Sequence, residues 1–342
     1  MTAYAFLTHA GSQIGLGHVR RCLALARCLS CRGAPADFVI SPDQAVRRLV
    51  EGSGFGVAEV DWEDDLPATV RAVRETGADV VVVDSYAATS ALFEALRATV
   101  DHVVAVDDMA DRSLPVDVVI NGGVGAELLP YASAEDTVFL LGPEYALIDS
   151  AYAQVPVRHE RDRIGRVLVT VGGGLQLAAL RSAVAAVDAA LDGVVVDVVA
   201  GPYADAAAVV GGMVGRAVNH AVVHGAVSDL RPLMLQADVA VSGAGMTLYE
   251  LAATATASVM VQTGANQWSN VRGFEQAGAA LFAGTASSAE LATALEGRLR
   301  ELAVNVRLRT ALGSAARRLV DGQGALRVAR TLACDRRARR SP

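Results

Sequence analysis

The chain has 342 residues, 52% of them hydrophobic and 20% charged, with 32 glycines and 10 prolines. That is enough for about two domains with their own cores, and it excludes a disordered or low-complexity scaffold. Acidic residues number 37 against 30 basic ones, for a net charge of −7 with no lysine at all. This balance argues against a general nucleic-acid binder, and the missing lysine excludes Schiff-base, pyridoxal phosphate and Walker-lysine chemistry.

In chain order, short β-branched runs alternate with alanine- and leucine-rich helical stretches, the pattern of βαβ units around a buried parallel sheet. The first predicted strand, 4–8, follows no basic segment and runs into polar loop residues, so no signal peptide is expected and the cytoplasm is the expected location. No apolar run reaches the ~18 residues of a membrane-spanning helix. The loop after the first strand ends in Gly15 and Gly17 and opens a helix carrying His18. A dinucleotide fingerprint needs a third glycine where this chain has Arg20 or Arg21, so NAD binding is not supported and no cofactor is expected. His18 falls in the first helical turn, where the positive end of the dipole favours a neutral imidazole base; a histidine packed against the loop explains the position equally well. Cys28 and Cys31 match C-x-x-C at the end of that helix rather than its start, which reads as structural cysteine, and no second pair follows to make a zinc site.

Further strands are predicted at 36–40, 56–60, 79–84, 102–107 and 116–120. Asp84, Asp107 and Asp108 stand at strand ends, suited to act as acid, base or hydroxyl ligand, or to cap a following helix; they make no metal-ligand pattern. Around 153–164 both periodicities lapse into a charged run, giving an N-terminal domain of 1–152 and a linker. The alternation restarts with strands at 167–171, 194–200, 221–223, 239–242, 258–262 and 279–282, defining a second domain of 165–330 before a basic tail, 331–342. Gly172, Gly173 and Gly174, then Ser242, Gly243, Ala244, Gly245, Met246 and Thr247, each follow a strand and open a helix, so their backbone N–H groups are suited to cradle a diphosphate. Glu250 is suited to the ribose hydroxyls, or is an exposed helix carboxylate; Asn266 and Gln267 offer amides nearby, with helix capping as the other role of Asn266. His224 and Val227 follow another strand on the same predicted edge.

The run Ser12-Gln13-Ile14-Gly15-Leu16-Gly17-His18, followed by Arg21-Cys22-Leu23-Ala24-Leu25-Ala26, resembles the opening motif of the UDP-sugar hydrolases of the pseudaminic acid pathway. Likeness continues in order through Val83-Asp84-Ser85-Tyr86, Val106-Asp107-Asp108, Pro143-Glu144-Tyr145-Ala146-Leu147-Ile148, Gly172-Gly173, 242–251 and Asn266-Gln267. The resemblance implies an α/β GT-B fold of the MurG-like kind, two Rossmann-like doubly wound domains facing across a cleft. It implies inverting hydrolysis of a UDP-linked amino or deoxy sugar at the anomeric carbon, with His18 as base for water and UDP leaving. Tyr86 and Asn266 would position sugar or water. Gly15, Gly17, Asp84, Asp108, the glycine loops, His224, Val227, Glu250 and Gln267 would bind substrate, without a metal. Two positions depart from the family: His9 stands where an acidic residue is usual, and Leu175-Gln176 where an Asp is. Two rivals follow, a glycosyltransferase of the same fold in which His18 deprotonates an acceptor hydroxyl, and a sugar-nucleotide-binding protein without catalysis.

Overall fold

The segment Val-Val-Val-Val-Asp at Val80–Asp84 is buried along its whole length, an environment found at the centre of a parallel sheet covered on both faces. The computed structural model describes residues 2–339 except 12–13, 133–135, 159–160, 172–175, 202–218 and 226, with side chains through residue 334. Among the described residues the chain forms two compact units, one running through Ser150 and resuming at Gly322, the other spanning Ala151–Asp321.

The first unit has the strands β1 (Tyr4–Thr8), β2 (Ala36–Ile40), β3 (Gly56–Glu59), β4 (Val80–Asp84), β5 (His102–Val106), β6 (Val118–Asn121) and β7 (Val138–Leu141), ordered β3-β2-β1-β4-β5-β6-β7. All these pairings are parallel. Its helices α1 (Gly17–Ser30), α2 (Gln44–Glu51), α3 (Leu66–Glu75) and α4 (Ser90–Arg97) are the crossovers. Their starts are written locally: Asp43 accepts from the N–H groups of Ala45 and Val46, Asp65 from that of Ala68, and Thr89 from that of Leu92. One core joins Leu7, Val81, Val83, Leu92, Phe93, Leu96 and Val103, each side chain of this kind contributing about 1.5–3 kcal/mol on burial.

The second unit repeats the plan with β8 (Arg166–Thr170), α5 (Leu177–Ala190), β9 (Val195–Val199), β10 (His220–His224), α6 (Arg231–Gln236), β11 (Val239–Gly243), α7 (Met246–Ala253), β12 (Ala257–Gln262), α8 (Trp268–Gln276), β13 (Leu281–Thr285), α9 (Leu291–Val304) and α10 (Val306–Leu319). Its parallel sheet is ordered β10-β9-β8-β11-β12-β13.

Two features differ from the sequence expectation. The short strand β7 was not predicted; it extends the sheet beyond β6, pairing Val138 with Val118 through Leu141 with Asn121. The segment assigned to the end of the second domain and to a tail is instead the helix α11 (Gly324–Arg339), which packs with the first unit. The reason is its apolar stripe, Ala325, Val328, Ala329 and Leu332, all buried at helical spacing and covered partly by α1. Arg327 Nη1 donates to the carbonyl of Glu144 at 3.0 Å. At the helix start Gly324 lies against the backbone of Ala146 so closely that a Cβ there overlaps it, and Gly122 approaches Ala146 in the same way. Gly324→Ala is therefore expected to push α11 off its seat and cost about 1–3 kcal/mol, read as a lowered urea midpoint; an unchanged midpoint would rule out the close approach. Among the described residues no helix is long and apolar enough to cross a membrane.

Candidate functional site

In the first sheet the strand order reverses between β1 and β4, and loops leaving the carboxyl ends of strands at such a point diverge around a crevice. The register Thr8↔Asp84 puts His9 beside Ser85, with His9 N donating to the carbonyl of Asp84 at 3.2 Å. Gly11 and Gly15 exchange backbone hydrogen bonds, and Gly15, at φ 84°, makes a turn that a side chain would resist. The turn aims α1 at the same edge, starting at Gly17, and the i,i+3 spacing puts His18 and Arg21 on one face.

These two side chains meet Asp84, which is wholly buried at the end of β4. His18 Nδ1 lies 2.6 Å from Asp84 Oδ1. Arg21 donates from Nε to Asp84 Oδ2 and from Nη2 to Oδ1, each at 2.6 Å, while its Nη1 reaches both oxygens of Asp108 at 2.8 and 2.9 Å. Tyr86 Oη donates to Asp108 Oδ2 at 2.8 Å, and its ring stands edge-on to His18 with centroids 4.6 Å apart. Burial alone pushes the Asp84 carboxyl up, but Arg21 and His18 outweigh it and hold the group well below the ordinary carboxylate range. Asp108 is lowered in the same way, burial being overcome by Arg21. Burial works against the Arg21 charge, and Asp108 and Asp84 more than restore it. An ionised Asp84 only accepts, so the His18 hydrogen that faces it sits on Nδ1, and Nε2 is the ring nitrogen turned away from Asp84. The arrangement is an imidazole oriented by a buried carboxylate. Cys22 Sγ, 3.6 Å from Asp84 Oδ2, is pushed up by burial and by that carboxylate, so it stays a thiol beneath the site.

Asp107 has a different task from Asp108. Its Oδ2 accepts from Met109 N, Ala110 N and Tyr131 Oη, at 3.0, 2.8 and 2.8 Å, which fixes a tight loop with Ala110 at φ 50°. Arg112 ties the loop to the carbonyls of Tyr86 and Ala88. Asp107 thus builds the loop, and Asp108 is the residue that the loop presents to Arg21.

In the second unit the reversal lies between β8 and β11. Gly172, Gly173 and Gly174, after β8, lie outside the described residues. At the end of β11, Ser242 is buried with its hydroxyl donating to the carbonyl of Gly243, and after the strand Ala244 N donates to the carbonyl of Val261. Gly245 precedes α7 with no side-chain cap, so the first turn, with Met246 and Thr247, starts from backbone alone. Glu250 is half-buried farther along α7. A Cβ on Gly245 would stand 3.4 Å from Gln267 Nε2, which joins this loop to the one after β12. Gln267 closes its own turn, its Oε1 accepting from Thr263 N at 2.8 Å and its Nε2 donating to Thr263 Oγ1 at 2.9 Å. Asn266 is exposed in the turn Ala265–Gln267, and because α8 starts at Trp268 with Gln267 before it, Asn266 does not cap that helix. His224 Nε2 is 2.8 Å from Asp197 Oδ1, on a carboxylate that Arg166 also holds. His224 thus stands at the end of the outer strand β10, and Val227 is half-buried in the chain after it.

The structure brings together His18, Asp84, Tyr86 and Asp108 above the turn of Gly15 and Gly17, and separately 242–247 with Gln267. Sequence reading missed Arg21 as the group that binds this set, although its i,i+3 spacing from His18 was a signal for a shared face. It also missed Ser85 and Glu63, which only the fold brings to His9.

No family model matches the chain, and no curated protein sequence matches it. Solved structures do. The chain is similar to MurG of Acinetobacter baumannii, with a TM-score of 0.67 and 17% identity over 97% of this chain and 99% of that one. It is similar to the spinosyn rhamnosyltransferase SpnG, also solved with thymidine diphosphate, at TM-score 0.67 and 16% identity over 97% and 100%. A third is the MnaA–UDP co-structure from S. aureus, at TM-score 0.68 and 11% identity over 97% and 96%. Together with the two doubly wound parallel sheets, these likenesses establish the fold as GT-B.

Proposed function

We propose that the chain is a UDP-sugar hydrolase, related to those of the pseudaminic acid pathway, that acts on a nucleotide-linked amino or deoxy sugar. The observation that carries this reading is the 2.6 Å contact of His18 Nδ1 with the buried Asp84, which leaves Nε2 as a base. Water gives a proton to Nε2 as its oxygen bonds to the anomeric carbon, and the C–O bond to the diphosphate breaks with its electron pair leaving on UDP. Asp84 stabilises the imidazolium that forms, and Tyr86 holds the ring in place from its edge. In the second unit, the uncapped backbone N–H groups at the start of α7 are suited to a diphosphate. The UDP and thymidine diphosphate in two similar structures support a nucleotide on a fold of this kind.

Phosphorus NMR of the protein with a panel of UDP-N-acetylated sugars tests the reading. Free UDP released in water alone is the expected result. The neighbour solved as a rhamnosyltransferase favours a second reading, transfer, in which the same base deprotonates an acceptor hydroxyl. Release of UDP only when an alcohol acceptor is added would select that reading over hydrolysis. Glu250→Ala is expected to weaken UDP binding by roughly tenfold, the scale of about 1.4 kcal/mol for a lost ribose contact, in isothermal titration; unchanged affinity would remove Glu250 from the nucleotide site.

A further inference from the structure

Next to the His18–Asp84 pair stands a second imidazole–carboxylate pair that the reaction above does not use. His9 follows β1, and its Nε2 lies 2.7 Å from Glu63 Oε1 in the loop after β3. Its Nδ1 lies 3.3 Å from the hydroxyl of Ser85, the residue between Asp84 and Tyr86. Ser85 Oγ accepts from Ala87 N at 3.0 Å, so its own hydrogen is available to Nδ1. The order is then directional: Ser85 O–H donates to His9 Nδ1, and His9 Nε2–H donates to Glu63. Trp62 fixes the ring, edge-to-face with centroids 5.5 Å apart. Exposure rises along the chain of groups, from 7% for Ser85 to 17% for the His9 side chain and 38% for that of Glu63. The titratable groups that act on His9 are Glu63, His18 from α1 and Asp84 from β4; burial is the largest influence and lowers its proton affinity, with Glu63 opposing. His9 therefore rests neutral, with a carboxylate in place to support it if it takes a proton.

We propose that Ser85, His9 and Glu63 form a second proton-accepting chain in the first unit, with Ser85 as its ligand-facing end and a hydroxyl of a bound sugar or a water as its proton source. The source rests on the sugar-nucleotide reading above. In the step, a ligand O–H gives its proton to Ser85 Oγ while the Ser85 hydrogen moves to His9 Nδ1. The ligand oxygen keeps the electron pair, His9 becomes an imidazolium still donating from Nε2 to Glu63, and solvent at that pair removes the proton afterwards. No oxidant or reductant takes part.

The arrangement is tested first without substrate, by nitrogen-15 NMR of the imidazole rings in the full chain. A neutral His9 protonated on Nε2 at pH 7, with its pKa lowered further in Glu63→Gln, is expected. An Nδ1–H tautomer, or a pKa indifferent to Glu63→Gln, would overturn the proposal. Turnover gives the second readout: Ser85→Ala and Glu63→Gln should each lower kcat at least about tenfold with KM for the UDP-sugar unchanged, and Glu63→Gln should move the acidic limb of the pH profile. A lowered melting temperature with kcat and the limb unmoved would make the three residues structural only and reject the chain. If the unaltered protein turns over no UDP-sugar, the hydrolase reading fails, and the tautomer measurement still decides whether the hydrogen-bond order proposed here exists.

Discussion

His18→Ala is expected to lower UDP-sugar turnover by about 10²–10⁴-fold while UDP affinity stays within about twofold, because the lost group acts on water and not on the nucleotide. The variant should remain folded: Asp84 keeps both Arg21 donors, at 2.6 Å each, when the imidazole is gone. His18→Asn is the sharper companion. Its side-chain amide can donate to Asp84 as Nδ1 does, but it offers no basic nitrogen, so it should preserve the thermal midpoint better than alanine and be as inactive. Full turnover in both variants would place the base elsewhere. Loss of UDP affinity in step with turnover would make His18 a nucleotide contact. Stopped-flow release of UDP and titration calorimetry on the same preparations separate these cases.

The doubly wound architecture was legible because buried parallel strands leave a strong trace: β1 and β2 were read at their observed bounds from residues such as Phe38, Val39 and Ile40 alone. Strand β7 was not, since its run of four apolar residues, Val138 to Leu141, is short and has no alternation, and only Leu140 in it is fully buried. The return of α11 to the first unit left no local mark either; its apolar stripe says that the helix must be covered, not by which unit. At the site, His18 and the aspartates at strand ends could be named because their places follow from local chemistry. Which aspartate does what could not: Asp84 and Asp107 are alike as strand-end residues, and only the tertiary fold gives one to His18 and Arg21 and the other to its own loop. Glu63 is the extreme case, a surface acid in sequence that becomes the partner of His9 through the pairing of β3 with β2 and of β2 with β1 and the course of the loop after β3.

The largest effect on stability is expected from Arg21→Met, about 3–5 kcal/mol, because it leaves the buried Asp84 and the half-buried Asp108 side by side with no cation between them. In the unaltered protein Asp84 and Asp108 are held below their unfolded values, so their contribution is fully present above about pH 4 and fades as pH falls through the folded-state values. In Arg21→Met burial, the largest influence on both groups, is no longer outweighed by a guanidinium, and their folded values should rise above the unfolded ones. The sign then reverses, and stability is lost as pH rises rather than as it falls. The gap between the two proteins should therefore be widest at pH 7 and shrink toward pH 4, read from urea unfolding at both values; a gap independent of pH would mean that methionine acts through packing alone. Arg21→Lys should recover only part of the loss, since one ammonium cannot reproduce a fork that reaches Asp84 through two nitrogens and Asp108 through a third. Arg21→Met combined with Asp84→Asn should be less destabilised than the sum of the single changes, by about 0.5–3 kcal/mol, because the amide removes the charge that the methionine left uncompensated. Strict additivity would show that Arg21 and Asp84 do not depend on one another, and would detach the carboxylate behind His18 from the cation that keeps it ionised.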